Sequence, residues 1–286
     1  MMQALTEKNI AILCNPFAGD GKAVELAEKI LAELSGKNIS NKIFKKQWPL
    51  DLGQFTDIFI VGGDGTLNYF INYYPDVSLP LAIFNGGTGN DFHWLLYGEK
   101  TFEEQLELVL NTTAKPIDIG KCNEKFFING VGIGFDGAVA KSLTGKKKKA
   151  GKTSFLIAIL KKIFNYRSRF YRITSSEKIE TGRKLLMGVA NGRRAGGGFH
   201  IAPEALANDG LLDVILVDAI TPFKRLKYLP VIEKGKHLHL PFIKYFKSKK
   251  IQVESDDLMD IHLDGEYYSD DKVIIEILPG KLLFHY

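Results

Sequence analysis

The apolar run Ile58-Phe59-Ile60-Val61 leads directly into Gly62-Gly63-Asp64-Gly65-Thr66-Leu67-Asn68. A short β-branched and aromatic run that meets a glycine turn and then a helix-compatible stretch predicts a strand, a loop and a helix. The glycines permit positive φ and close approach of a ligand to the backbone. The helix start behind them offers amides and a dipole to an anion. Asp64 stands in that turn and would repel phosphate unless a metal ion or a hydroxyl donor came between. The conflict points to a nucleotide with a divalent metal.

The same pattern recurs on either side. Asn9-Ile10-Ala11-Ile12-Leu13-Cys14 ends at Asn15-Pro16-Phe17-Ala18-Gly19-Asp20-Gly21-Lys22, and helical spacing follows over Ala23–Leu34. Leu81-Ala82-Ile83-Phe84 ends at Asn85-Gly86-Gly87-Thr88-Gly89-Asn90-Asp91, with a helix near Phe102–Leu110. Strands alternating with helices predict a parallel α/β sheet with its ligand loops at the strand ends. After about Pro116 the rhythm changes to short β-like runs: Lys125–Ile128, Lys184–Val189, Leu211–Val217, Lys250–Val253, Asp260–Leu263 and Val273–Leu278. Only Thr153–Phe164 and Pro222–Glu233 look helical there. The expected division is an α/β nucleotide-binding domain over 1–116 and a mainly β domain over 117–278, with 279–286 returning to the first.

At 286 residues and 45% hydrophobic content the chain can bury one large core or two ordinary ones. No run reaches the roughly 20 apolar residues of a membrane span. The start lacks the basic and apolar regions of a signal peptide. Cys14 and Cys122 make neither a disulfide framework nor a zinc site. A reduced, cytoplasmic protein is expected.

The formal charge of +5 is unevenly placed: Lys146–Lys149 form a run, followed by Lys161, Lys162, Arg167, Arg169 and Arg172. No nucleic-acid-binding signature accompanies it. Phe155–Leu160 lies beside the basic cluster, which suits an anionic membrane surface or, equally, a core-packing helix.

Two nucleotide fingerprints fail. Residues 15–23 lack the first glycine and the hydroxyl residue of a P-loop. Gly132, Gly134 and Gly137 have dinucleotide-fingerprint spacing, but the expected acidic residue about 20 positions on is missing. Asn191–Gly198, with three consecutive glycines, reads as a hairpin or a site loop. His262-Leu263-Asp264-Gly265-Glu266 reads as an Asp-Gly turn or as a base-and-metal carboxylate pair. His237 and His239 read as surface residues.

Taken together and in order, these segments resemble the diacylglycerol kinase catalytic-domain family, which includes sphingosine and ceramide kinases and bacterial lipid kinases. The resemblance runs through Asn15-Pro16 with Gly19 and Lys22, Gly62–Asn68, Gly87–Phe92, Asp118, Phe127-Ile128-Asn129 and Gly134-Phe135-Asp136. It continues through Asn191-Gly192, Gly196–Gly198, Pro203, Ala205, Asp209-Gly210 with Leu212-Asp213, and Asp264-Gly265-Glu266.

It implies an α/β domain like those of NAD kinase and phosphofructokinase, a β-rich domain, and ATP with Mg²⁺ in the cleft between them. By resemblance, Asn15, Pro16, Gly19, Lys22, Gly63, Asp64, Gly65, Thr66, Leu67, Asn68 and Thr88 contact the nucleotide. Glu266 is the first choice of proton acceptor and Asp264 the next, while Asp64 holds the ATP-bound metal. A structural Mg²⁺ would use the Asp209 carboxylate and the carbonyls of Leu206 and Leu211. The implied reaction is phosphorylation of a lipid hydroxyl, most simply that of diacylglycerol, at a membrane surface. A silent nucleotide-binding regulator and an NAD kinase are the alternatives; dimerisation is left open.

The chain departs from the family pattern in four places. The segment Phe44–Phe55 is short and contains no Thr, where the family has a helix and a nucleotide-contacting Thr. Tyr69 stands where Glu is common, Asn208 replaces the first Asp of an Asp-Asp-Gly, and Asn85 occupies a common Pro position.

Overall fold

The computed structural model describes residues 8–145, 151–176 and 178–286, so the Lys146–Lys149 run lies outside the described residues. The chain divides into two units, one holding the chain up to Ile117 together with Lys281–Tyr286, the other Asp118–Gly280.

In the first unit β1 (Asn9–Cys14), β2 (Ser40–Phe44), β3 (Asp57–Gly62) and β4 (Leu81–Asn85) alternate with α1 (Lys22–Gly36), α2 (Asp64–Tyr73), α3 (Asp91–Tyr97) and α4 (Phe102–Asn111). The strands are parallel in the order β2-β1-β3-β4. All six residues of β3 are buried, as expected of a central parallel strand covered on both faces. Helix α1 buries Ala23, Ala27, Ile30 and Leu34, a stripe at helical spacing. Helix α4 starts at a reciprocal cap between Thr101 and Glu104. The final residues complete this unit. Phe284 pairs in parallel with Leu81, and the His285 ring sits between the Thr112 carbonyl at 2.7 Å and the Asp57 carboxylate at 2.8 Å.

Strand β5 (Lys115–Cys122) carries the chain into the second unit. There follow β6 (Lys125–Phe127), β7 (Gly130–Gly134), α5 (Phe135–Leu143), α6 (Gly151–Asn165), β8 (Arg169–Ser175), β9 (Ile179–Ala190), β10 (Leu212–Asp218), α7 (Pro222–Glu233), β11 (Ile243–Ser248), β12 (Lys250–Leu263) and β13 (Glu266–Phe284). The sheet is antiparallel in the order β11-β10-β9-β7-β12-β13, and β8 pairs with both β9 and β12. Val131, Ile133, Met187, Val253, Ile261 and Ile275 belong to one core. A second core joins Phe135, Val139, Ile159 and Ile163 of α5 and α6 to Leu185, Ile215 and Val217 of the strands. The expected α/β unit and β-rich unit are both present.

Three local readings change. The runs Lys250–Val253 and Asp260–Leu263 are one strand, with a register shift between Glu254 and Met259; the polar Ser255-Asp256-Asp257 falls at that irregularity. The stretch that had fingerprint spacing ends β7, with Gly132 and Gly134, and begins α5, with Gly137. A Cβ on Gly137 would stand 2.1 Å from the Asp260 carbonyl oxygen, so this glycine lets the helix touch β12 at backbone distance. His237 is buried, with Nε2 3.0 Å from the Ile201 carbonyl, and is not a surface residue.

Candidate active site

Three loops at the ends of β1, β3 and β4 interlock. The Asn15 side-chain amide donates to Thr66 Oγ1 at 2.9 Å, and its backbone amide donates to Val61. Gly86 donates to the Gly62 carbonyl, and Asp64 to that of Gly89. The glycines serve this knitting. None of Gly62, Gly63 and Gly65 has positive φ, which corrects the expected backbone freedom. A Cβ on Gly62 would meet the Thr66 side chain at 2.3 Å, on Gly63 the Gly89 carbonyl at 2.6 Å, and on Gly87 the Gly63 Cα at 2.4 Å. Gly19 needs both properties: its φ is +60, and a Cβ there would stand 2.4 Å from the Gly86 carbonyl oxygen.

Asp64 has backbone amide partners in the folded chain. Its carboxylate accepts the N–H groups of Asp91 at 2.9 Å and Phe92 at 3.0 Å, capping α3. The charge that points to a metal in the sequence is met here by a helix start.

The expected nucleotide residues sort by exposure. Thr66 and Leu67 are buried behind the loops. Asn15, Pro16, Gly19 and Asn68 are half-buried, whereas Lys22, Gly65 and Thr88 are exposed. Nothing lies within 4 Å of a Cβ built on Gly65, so the first turn of α2 is open to a ligand. The short 45–56 segment adds an aromatic group that the sequence did not single out. Trp48 Nε1 lies 3.4 Å from the Cys14 carbonyl, beside Asn15, and the Trp48 ring meets Tyr69 at 5.4 Å. Tyr69 in turn stacks on Tyr73 at 5.5 Å.

In the second unit Asp264-Gly265 forms the two-residue turn between β12 and β13, with φ of 48 and 88. Both positive values are those of the hairpin turn that favours Asp-Gly. The Asp264 carboxylate accepts three backbone amides, from Ile128 at 2.7 Å, Asn129 at 2.8 Å and Gly130 at 2.9 Å. It binds the β6–β7 loop to the hairpin. Glu266 lies exposed at the first position of β13. The same loop is held from the other side, since the Asn129 carbonyl accepts the amides of Asn191 and Gly192. Gly196–Gly198 form the tip of a hairpin closed by Ala195 and Phe199.

The set expected for a structural divalent ion does not fit one as it stands. Asp209 Oδ1 accepts the Leu211 amide at 3.0 Å, and Oδ2 is 2.6 Å from the Lys247 ammonium. Leu206 and Leu211 lie in the same turn.

An α/β unit with three loops knitted at its strand ends, followed by an antiparallel unit, is an NAD kinase-like fold. An NAD kinase from Archaeoglobus fulgidus, solved in complex with ATP, shares the fold at a TM-score of 0.57 and 16% identity, over 97% of this chain and 93% of its own. The chain belongs to the diacylglycerol kinase family: the family described as diacylglycerol kinase catalytic domain matches residues 9–122, and the YegS C-terminal NAD kinase beta sandwich-like domain matches residues 129–285. A Shewanella frigidimarina protein named "Probable lipid kinase YegS-like" is 30% identical over 79% of this chain and 75% of its own. A Mycobacterium tuberculosis diacylglycerol kinase is 26% identical over 96% and 93%. A crystal structure of a diacylglycerol kinase from Bacillus anthracis str. Sterne matches at a TM-score of 0.75 and 24% identity, over 99% and 98%. The chain is therefore an enzyme of the lipid kinase type.

Proposed function

We propose that this kinase transfers the γ-phosphate of magnesium-complexed ATP to the hydroxyl of diacylglycerol, giving phosphatidic acid. The lipid oxygen attacks the γ-phosphorus, the bond to the β-phosphate oxygen breaks, ADP leaves, and the hydroxyl proton passes to Glu266. Phosphoryl transfer asks the protein chiefly for positioning and charge neutralisation. Lys22 and the loop amides around Gly65 and Thr88 suit the phosphates, and Asp64, held by two amides, is the carboxylate nearest those loops that would face the substrate's magnesium. The observation that carries the assignment of the base is the difference between neighbours in one hairpin. Asp264 is consumed by three amides, whereas Glu266 is exposed. Labelled-ATP phosphorylation of a lipid panel in mixed micelles tests the acceptor. Phosphorylation of another alcohol lipid but not of diacylglycerol would overturn it.

Two further supports concern the ends of the substrates. The Trp48–Tyr69–Tyr73 group lies next to Asn15 and Asn68, where a base can stack in place of the missing Thr contact. Tyr69→Ala is expected to raise the KM for ATP several-fold with little change in the thermal midpoint; an unchanged KM would remove the aromatic role.

For the lipid, α6 and α7 present an apolar surface. Phe223 is 77% exposed and Phe164 55%, their rings 6.2 Å apart, with Lys161, Lys224 and Lys227 exposed among them. Such a mixture suits peripheral contact with an anionic bilayer. No described helix is long and apolar enough to cross a membrane. Reversing Lys224 and Lys227 to Glu should weaken binding to vesicles rich in anionic lipid, and unchanged binding would exclude this face.

A further inference from the structure

The turn from Asn208 to Asp213 brings two carboxylates to one place, and one cation of the chain stands between them. Asp213 is fully buried near the start of β10 and pairs across the ladder with Lys247 of β11. Its Oδ1 accepts the Tyr245 hydroxyl at 2.5 Å. Its Oδ2 is buried without a hydrogen-bond donor among the described residues, and lies 3.6 Å from Lys247 Nζ. The same ammonium is 2.6 Å from Asp209 Oδ2. A buried carboxylate is tolerated only when a positive charge or donors meet it. Here the neighbouring strand supplies the Tyr245 hydroxyl to Oδ1 and the Lys247 charge near Oδ2.

The rest of the turn is also tied by chain atoms. The buried Asp118 carboxylate accepts the Gly210 and Gly280 amides, each at 2.7 Å, and its own amide donates to the Ala207 carbonyl at 2.7 Å. From β11 the Lys247 ammonium reaches both carboxylates, 2.6 Å from Asp209 and 3.6 Å from Asp213. A divalent ion approaching Asp209 would meet that ammonium at the oxygen it needs.

We propose that Lys247 is a built-in cation that takes the place of a divalent metal at the Asp209–Asp213 turn, so that the fold of this unit needs no bound ion. The inference does not depend on the identity of the phosphate acceptor, and its readout is stability, not turnover. The test is thermal unfolding of the full chain without nucleotide, first in EDTA and then with MgCl₂ added. The wild-type midpoint should be the same in both.

Lys247→Met should unfold lower in EDTA, by roughly 5 °C, and regain part of the loss as MgCl₂ is added. Lys247→Arg should stay near wild type and ignore the metal. If Lys247→Met does not fold, the milder Lys247→Gln serves in its place. A wild-type midpoint that falls in EDTA and recovers in MgCl₂, with the response lost in Asp209→Asn, would overturn the proposal. So would a Lys247→Met protein that loses nothing in EDTA, or one whose loss magnesium leaves unchanged.

Discussion

Asp64-Gly65 and Asp264-Gly265 are the same dipeptide in two units, and they are built differently. Asp64 opens α2 in a loop whose neighbouring glycines exist because three loops press together. Asp264 sits at positive φ in a hairpin turn. Yet both carboxylates accept main-chain amides. Asp64 holds two amides at the start of α3, and Asp264 holds three amides of the β6–β7 loop. An Asp beside glycine in a site loop is thus first a tie for main-chain donors. Lys22 and Thr88 in the first unit and Glu266 in the second are exposed.

The largest effect is expected from exchanging the roles within the hairpin. Glu266→Gln should lower turnover by about 10²–10⁴-fold, the range for loss of a general base, with an unchanged unfolding midpoint. If Asp264→Asn instead produced that loss at full stability, Asp264 would be the base and the tie would be incidental. Next in size, Asp264→Ala removes one acceptor from three amides. With about 1–3 kcal/mol for each buried group left unpaired, the loss should be on the order of 3 kcal/mol or more, read from urea unfolding. Asp64→Ala removes a helix cap and should cost less, about 1–2 kcal/mol; a loss equal to that of Asp264→Ala would show that the two ties are equivalent.

Asp57, a buried carboxylate of the first unit, relies instead on side chains. Burial would raise its pKa, but hydrogen bonds from His285, Thr56 and Lys8 outweigh burial and bring it from 3.8 to about 2. The folded state therefore favours the ionised form. The stabilisation is complete above about pH 4 and is lost as the pH falls through 2. Asp57→Asn should be less stable by about 2 kcal/mol at pH 7, and urea midpoints of the two proteins should converge near pH 2.

Much of the first unit was legible because its strands are covered on both faces and read as unbroken apolar runs. The run Asn9–Cys14 coincides with β1, and Ile58–Val61 lies inside β3. Short α3 escaped notice because its N-terminal signal is a side chain 27 residues away, Asp64. In the second unit β12 read as two strands, since a register shift carries three polar residues through its middle. Helix α5 was hidden by Gly137, which sequence patterns count against a helix and which packing against β12 requires.

The site residues were visible as types and spacings. Their division of labour was not, because it depends on which amides each carboxylate meets. Lys247 gave no separate signal among Lys244, Lys247, Lys249 and Lys250. Its meaning comes from standing opposite Asp213 in the ladder.

The last strand has a consequence for how the chain is made. Residues Lys281–Tyr286 belong to the unit that begins the chain, where Phe284 lies beside Leu81 and His285 meets Asp57. Between the two parts of that unit lie the residues Asp118–Gly280. At a synthesis rate of about 5–20 residues per second, the early strands wait roughly ten to thirty seconds on the ribosome for their final partner. The unit translated first is thus the one whose fold is closed last, and a nascent chain stalled before Phe284 would carry an open edge on β4 and an Asp57 still lacking His285.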